Sequence, residues 1–250
     1  MIQLFLIQLV GHMLGDFYFQ NEYMCTCKKE TEKKSIGIYL IHIVIVFLTA
    51  WGITWTGSFW WAALLIALLH AIMDIVKSLL QRLQKNEAIL FYIDQLVHIL
   101  TIGLIVWLYQ KHCGWIEWEW LTIYRAAMIV TFVFCFWPAN FYIGEFLDII
   151  KVNKRVDEKE KTINVSKPTL DANRVIGSIE RVLIILFVWL GQYSAIGFLI
   201  AAKSVMRFPE MGNGNNAEYY LVGSLLSFGL AILLTTSIIV LHSKGFFKTV

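Results

Sequence analysis

The sequence is short of charged residues. Asp, Glu, Lys and Arg make up 16% of its 250 residues, whereas soluble globular proteins carry about 25%. Hydrophobic residues make up 58%, and the mean hydropathy is +0.64. This composition excludes an ordinary soluble domain. Because backbone polar groups must be paired within lipid, and long apolar runs suit helices better than alternating barrel strands, the sequence predicts an all-α, polytopic protein of the lipid bilayer.

Cysteine and familiar catalytic motifs are also scarce. Cys25 and Cys27 are separated by one residue, but no second cysteine or histidine pair accompanies them, so we predict reduced thiols rather than a zinc site. The chain has no P-loop, no Gly-x-Ser-x-Gly motif and no dinucleotide fingerprint. It has no repeat and no nucleic-acid motif, so no nucleic acid partner is expected. The first apolar run lacks a preceding basic region, and we expect a retained span rather than a signal peptide.

Apolar runs of helical length follow one another along the chain, judged against the roughly 20 residues that a span requires. They are Ile2–Phe19, Ile36–Trp51, Phe59–Leu80, Ile89–Tyr109, Trp120–Phe146, Ile176–Ala202 and Tyr219–Leu241. The sixth contains Gly191 and Gly197, which is compatible with a tilted or a broken helix. We therefore predict about seven transmembrane helices. They form a four-helix domain over residues 1–110 and a three-helix domain over residues 111–250 with a charged cytoplasmic linker over 148–174.

Basic residues are concentrated on alternate connections, which predicts the orientation. The first, third and fifth connections and the C-terminal tail carry Lys28, Lys29, Lys33, Lys34, Arg82, Lys85, Lys151, Lys154, Arg155, Lys159, Lys161, Lys167, Arg174, Lys244 and Lys248. The other connections carry only Lys111 and Arg207, with Lys203 and Arg125 near span ends. The positive-inside rule then places the N terminus outside and the C terminus in the cytoplasm, in a bacterial cytoplasmic membrane.

Three of the first four spans carry a histidine and an aspartate four residues apart. The motifs are GHMLGDFYFQ with His12 and Asp16, HAIMDIVK with His70 and Asp74, and FYIDQLVH with Asp94 and His98; the second span adds His42. Residues four apart share one helix face. The order reverses in the outward-running fourth span, so each Asp lies nearer the cytoplasm and each His one turn deeper, about 6 Å. We therefore expect one polar layer.

Imidazole and carboxylate groups together suit Zn, Mn or Fe, which predicts a divalent metal cofactor held by the seven residues of this layer. Seven ligands exceed the needs of one tetrahedral ion, so a pair of ions is a further expectation. Gln20 and Gln95 are expected to hydrogen-bond the ligands. Lys77 is expected to pair with Asp74, to contact a phosphate or to extend toward the interface. The alternative is that these polar groups only hold the helices together.

The three motifs resemble the signatures of an uncharacterised bacterial membrane family, the domain-of-unknown-function family 3307, over roughly the first 110 residues. Gly15 and Phe19 depart from the expected Ala and Leu. A more distant likeness is to inner-membrane proteins described as metal-dependent hydrolases with intramembrane His and Asp motifs, and it implies hydrolase activity by analogy.

The C-terminal half carries a second set of polar residues within its apolar runs. They are Glu180, Arg181, Lys203, Arg207 and Glu218. Glu180 is expected at the cytoplasmic start of the sixth span, and Lys203 near its outer end. We expect ion pairs that fix helix packing, with a homodimer in which Glu180 meets Arg181 of a second copy as one alternative. Lys203, Arg207 and Glu218 are expected to form a salt-bridge cluster at the outer surface.

Two classes of function agree with these residues. The first is a membrane-embedded, metal-dependent hydrolase that acts on a phosphoester or lipid-type substrate at the cytoplasmic leaflet, with Asp74, Asp94 and Lys77 as catalytic candidates. The second is a metal-ion or proton transporter or channel that uses the same layer. A closed pocket on the cytoplasmic side favours the enzyme. A polar path to Lys203, Arg207 and Glu218 favours transport.

Overall fold

The protein is described by a computed structural model that covers residues 1–20, 24, 33–83, 87–116, 118–150, 172–211 and 217–247. Several side chains at helix ends lie outside this description, including those of Arg82, Arg207 and Glu218. Every regular element in the described residues is helical. The all-α prediction is therefore confirmed for the part of the chain that the structure describes.

The chain forms two compact units that divide between Val133 and Phe134. The elements of the first unit are α1 (Ile2–Met13), a π-helical turn (Leu14–Tyr18), α2 (Lys33–Thr54), a 3₁₀ turn (Gly57–Phe59), α3 (Trp60–Leu83), α4 (Glu87–Cys113) and most of α5 (Ile123–Phe136). The second unit contains α6 (Pro138–Ile149), α7 (Ala172–Trp189), α8 (Tyr193–Met211) and α9 (Ala217–Ser243). The first unit thus extends beyond the residue 110 boundary expected from the sequence.

Several helices are long and apolar enough to cross a bilayer. In the described residues they are Ile36–Thr54, Gly57–Gln81, Glu87–Cys113 and Leu221–Ser243. Helices α5 and α6 provide a further span if they are counted together, although they are bent by 59° at their junction. The part of the chain that the structure describes therefore has four or five candidate spans and the character of a membrane protein.

Small residues bring the helices of the first unit together. Ala62, Ala63 and Ala67 of α3 are fully buried in a core that also contains Leu4 and Val106. Small side chains allow helix backbones to approach closely, which is how helices associate in lipid, where the hydrophobic effect adds little. The opposite faces of these helices expose large apolar side chains, as a lipid environment favours.

Helix α1 approaches α2 at two glycines. A Cβ atom added to Gly11 would lie 3.3 Å from the backbone oxygen of Thr49, and one added to Gly15 would lie 3.4 Å from side-chain atoms of Val46 and Thr49. In the Gly-x-x-x-Gly sequence GHMLG, Gly11 and Gly15 therefore both lie at the contact with α2. Neither has a side chain that would hold the two helices apart. This close approach positions the end of α1 beside His42.

The sixth apolar run is not one span. It divides into α7 and α8 at a turn where Gly191 has φ +70°. The amide of Gln192 donates to the Phe187 carbonyl (2.8 Å) and that of Gly191 to the Val188 carbonyl (3.1 Å), the Schellman arrangement that ends a helix at a left-handed glycine. Of the two alternatives that the sequence left open for residues 176–202, the broken helix is therefore the one present, because Gly191 ends α7 and reverses the chain.

This reversal also corrects the expected position of Lys203. Its ammonium forms an ion pair with Glu180 of the same chain, and the two residues lie about equally far from the turn on α7 and α8. Glu180 and Lys203 are therefore neighbours midway along an antiparallel hairpin. The prediction that they lie at opposite ends of one span is wrong, whereas an ion pair that fixes helix packing is present.

Arg181 is 1% exposed and joins the other helices of the second unit. It donates to the Cys135 carbonyl (2.6 Å), the Asn140 side-chain oxygen (2.7 Å) and the Ser227 hydroxyl (2.8 Å). The break before Pro138 leaves carbonyls at the end of α5 without helical N–H partners. The guanidinium of Arg181 therefore stabilises that break as well as linking α6, α7 and α9.

Replacement of Gly11 by Leu should separate α1 from α2, because the new side chain would overlap the Thr49 carbonyl. We expect a loss of about 1–3 kcal/mol in unfolding free energy, measured by thermal unfolding in detergent. Gly52→Leu is the matched control on α2, since a Cβ there meets nothing within 4 Å. Equal stability of the two variants would contradict the proposed close approach.

Candidate metal centre

The seven predicted ligands of the first unit lie on four helices and the π-helical turn. His12 is on α1, Asp16 in the π-helical turn, His42 on α2, His70 and Asp74 on α3, and Asp94 and His98 on α4. Their side chains are at most 11% exposed. The structure brings all seven into connected groups. The sequence-based expectation that they form one layer is therefore matched by the described side chains.

The π-helical turn sets the direction of Asp16. Its wider hydrogen bond runs from the Phe19 amide to the Leu14 carbonyl (3.0 Å), and such turns occur frequently at functional sites. Gly15, directly before Asp16, leaves room for Val46 of α2. The hydropathy pattern contained no indication of this turn. The Gly-x-x-x-Gly spacing is the signal by which the α1–α2 contact could have been found.

Four ligand atoms from α2, α3 and the π turn lie close together. The Nε2 atoms of His42 and His70 are 3.0 Å apart. Asp16 Oδ1 lies 3.5 Å from His42 Nε2 and 3.2 Å from His70 Nε2. Asp74 Oδ2 lies 3.5 and 3.8 Å from the same two nitrogens. Ligand atoms bound tetrahedrally at 2.0–2.2 Å would be roughly 3.3–3.6 Å apart, so these separations of 3.0–3.8 Å are close to those of a zinc-type site.

The hydrogen bonding of these atoms also points to a cation. Asp16 Oδ1 is buried and makes no well-aligned hydrogen bond among the described residues, although the Nε2 atoms of His42 and His70 lie within 3.5 Å of it. The facing nitrogens of His42 and His70 can share only one proton between them. A carboxylate oxygen buried without a donor is costly. We therefore read His42, His70, Asp16 and Asp74 as a set of four ligands that fits a divalent metal ion.

A second group of possible ligands lies beside the first. Asp74, Asp94 and His98 offer ligand atoms within 4.8 Å of one another, so Asp74 belongs to both groups. His98 Nδ1 lies 2.8 Å from the Asp94 backbone oxygen, which places the ring proton on Nδ1 and a lone pair on Nε2. Among the described residues no partner reaches the buried His98 Nε2. That nitrogen is therefore available to a cation.

Lys77 pairs with the second group and not with the first. Its Nζ lies 2.7 Å from Asp94 Oδ2. Of the alternatives considered for Lys77, the ion pair with Asp74 is therefore not formed, and the partner is Asp94. The physical reason is that the side chain extends from α3 across to α4, where the Phe91 ring lies 5.6 Å from the ammonium. At 25% exposure the Lys77 side chain is also the least buried charged group of the site.

Gln95 connects the remaining members of the site. Its Nε2 donates to Asp94 Oδ2 (3.2 Å), and its Oε1 lies 3.3 Å from His12 Nε2. The other ring nitrogen of His12 is 3.7 Å from Asp16 Oδ2. Gln95 therefore occupies the supporting position that the sequence predicted. Gln20 lies just beyond the π turn and is partly buried, and its role stays a prediction.

Residues 4–129, which include every histidine and aspartate of the site, match one family, described as "Protein of unknown function (DUF3307)". The chain belongs to this family. The match extends beyond the first 110 residues, in which the resemblance was seen. No curated protein and no solved structure gives a match. Membership of the DUF3307 family therefore indicates common descent but no activity. The likeness to hydrolases stays a prediction.

Replacement of His70 by Ala should lower the affinity for Zn²⁺ at least tenfold, because its Nε2 faces both His42 and Asp16. Changes in residues that merely support metal ligands already cost 10–100-fold. The measurement is zinc titration of the purified protein in detergent, with elemental analysis. His112→Ala is the control, since His112 lies exposed near the far end of α4. Equal zinc binding by both variants would contradict the metal centre.

Proposed function

We propose that this DUF3307 protein is a membrane-embedded, metal-dependent hydrolase that acts on a phosphoester or lipid-type substrate at the cytoplasmic leaflet. The observation that carries the proposal is that two ligand groups share Asp74, with the partly exposed Lys77 beside them. Adjacent cation sites joined by a carboxylate are typical of enzymes that cleave phosphoesters.

The proposed roles follow from burial and contacts. His42, His70, Asp16 and Asp74 hold the metal. A divalent metal would act as a Lewis acid and make a water molecule more acidic. Asp94, held by Lys77 and Gln95, is the candidate proton acceptor. Lys77 is the candidate contact for the negative charge of a substrate, because its side chain is the part of the site that reaches the surface of the first unit.

Transport of a metal ion is the second candidate, and one observation favours it. His42, His70, Asp16 and Asp74 offer four ligand atoms, which complete a tetrahedral ion without substrate or water. A catalytic zinc site ordinarily keeps one position open. Zinc can become five-coordinate during catalysis, so four protein ligands are compatible with hydrolysis. They are equally compatible with a transporter that binds the ion and then releases it.

The proposed orientation rests on the basic residues and the helical hairpin. The charged segment 151–171 lies outside the described residues, and the positive-inside rule places it in the cytoplasm, with the N terminus outside in a bacterial cytoplasmic membrane. The expectation of seven spans and a cytoplasmic C terminus assumed a single sixth span. Because α7 and α8 are antiparallel, we propose that the C terminus lies on the side opposite to segment 151–171.

Replacement of Asp74 by Asn should reduce metal content and metal-dependent phosphoester cleavage together, because it removes a charge and a ligand shared by both groups. We expect at least a hundredfold loss of cleavage of a generic aryl phosphate or a phospholipid in proteoliposomes. Asp148→Asn, at an exposed position of α6, is the charge-matched control. If the protein is a transporter instead, zinc should enter proteoliposomes that contain the wild type, and Asp74→Asn should stop this entry. Neither protein should then cleave phosphoesters.

The orientation is tested by cysteine labelling in intact cells with a membrane-impermeant thiol reagent, in a background without the native cysteines. Lys159→Cys should be protected and Lys244→Cys should be labelled, because the hairpin returns the chain before α9 crosses. Protection at both positions would support the seven-span arrangement and contradict the proposal that the C terminus lies on the side opposite to segment 151–171.

A further inference from the structure

The second ligand group already contains a positive charge. Asp94 Oδ2 accepts hydrogen bonds from Lys77 Nζ (2.7 Å) and Gln95 Nε2 (3.2 Å). The Asp94 side chain is 4% exposed, so this charge-assisted contact lies largely away from water and its partners are fixed. An ion bound through this oxygen would lie next to the ammonium. Two like charges at such a short distance repel each other strongly in a medium of low dielectric constant.

Among the side chains that the structure describes, the charges of the layer balance with one divalent ion. Asp16, Asp74 and Asp94 carry three negative charges, and the four histidines can be neutral ligands or hydrogen-bonding groups. One divalent ion and the Lys77 ammonium supply three positive charges. A second divalent ion would leave an excess of two positive charges among apolar helices, which is unfavourable.

We propose that Lys77 occupies the place of a second cation, so that the protein binds one divalent metal ion at His42, His70, Asp16 and Asp74 and completes the neighbouring group with its own ammonium. The inference rests on the metal binding proposed above. It assigns Asp94 and His98 to a latent second site. The inference also explains why Lys77 hydrogen-bonds Asp94, a potential metal ligand. The ammonium takes the position that a second metal ion would otherwise occupy.

Removal of the ammonium should open the latent site. In Lys77→Met, the group of Asp74, Asp94 and His98 can accept a second ion, because the competing charge is gone. In Lys77→Arg the positive charge remains, and the site should stay closed. Asp94→Asn should leave the first ion in place, because Asp94 does not belong to the four-atom set. Lys77→Met is therefore the single variant expected to bind more metal than the wild type.

The experiment is a titration of the full-length protein in detergent with Mn²⁺, with the bound metal counted by elemental analysis and the spin coupling followed by electron paramagnetic resonance. We expect one equivalent for the wild type, for Lys77→Arg and for Asp94→Asn. Lys77→Met should bind two, with the coupled spectrum of ions roughly 3.5–4 Å apart. The double variant Lys77→Met with Asp94→Asn should return to one.

The outcomes separate this inference from the proposed function. Two equivalents in the wild type, or one in a folded Lys77→Met, would show that Lys77 does not fill a cation site while the metal centre itself stands. Loss of the single ion in Asp94→Asn would overturn the inference even if Lys77→Met fails to fold, because Asp94 would then be a ligand of the first ion. No bound metal in the wild type would overturn the proposed metal centre and this inference with it.

Discussion

Mutual repulsion of buried carboxylates is the constraint on which the first unit depends. Asp16, Asp74 and Asp94 come from different segments and meet where apolar helices leave little room for water. Three such charges repel one another strongly unless cations lie among them or a carboxylate takes up a proton, because their repulsion is weakly screened. The Lys77 ammonium offsets one of them. A divalent ion at the remaining pair would therefore also join α2 and α3 to the π turn after α1, so metal binding and helix association are expected to depend on each other.

The same constraint explains why small residues lie around the site. Ligand atoms 3–4 Å apart require helix axes that are close, and a large residue at the contact would hold them apart. Glycines on α1 and alanines on α3 supply that proximity. The polar layer and the small-residue contacts are thus two parts of one arrangement, in which backbone approach determines whether the side chains meet.

Residue spacing was sufficient to predict the layer of histidines and aspartates, because a four-residue interval fixes the helix face and chain direction fixes the depth. It was insufficient for the partner of Lys77, whose flexible side chain can reach either of two carboxylates. Hydropathy also missed the reversal at Gly191. The turn is flanked by Trp189, Leu190 and Tyr193, so an average over about 20 residues shows one apolar run. The φ angle of one glycine decided the topology there.

The turn between α7 and α8 meets a requirement that lipid imposes on any loop. The amides of residues 190 to 192 donate to carbonyls of the preceding helical turn, and Trp189, Leu190 and Tyr193 expose large apolar surfaces around them. Such a turn does not need water at these N–H groups. It can therefore remain within the acyl region as readily as at the headgroups. The α7–α8 hairpin is thus suited to enter one leaflet and leave by the same face.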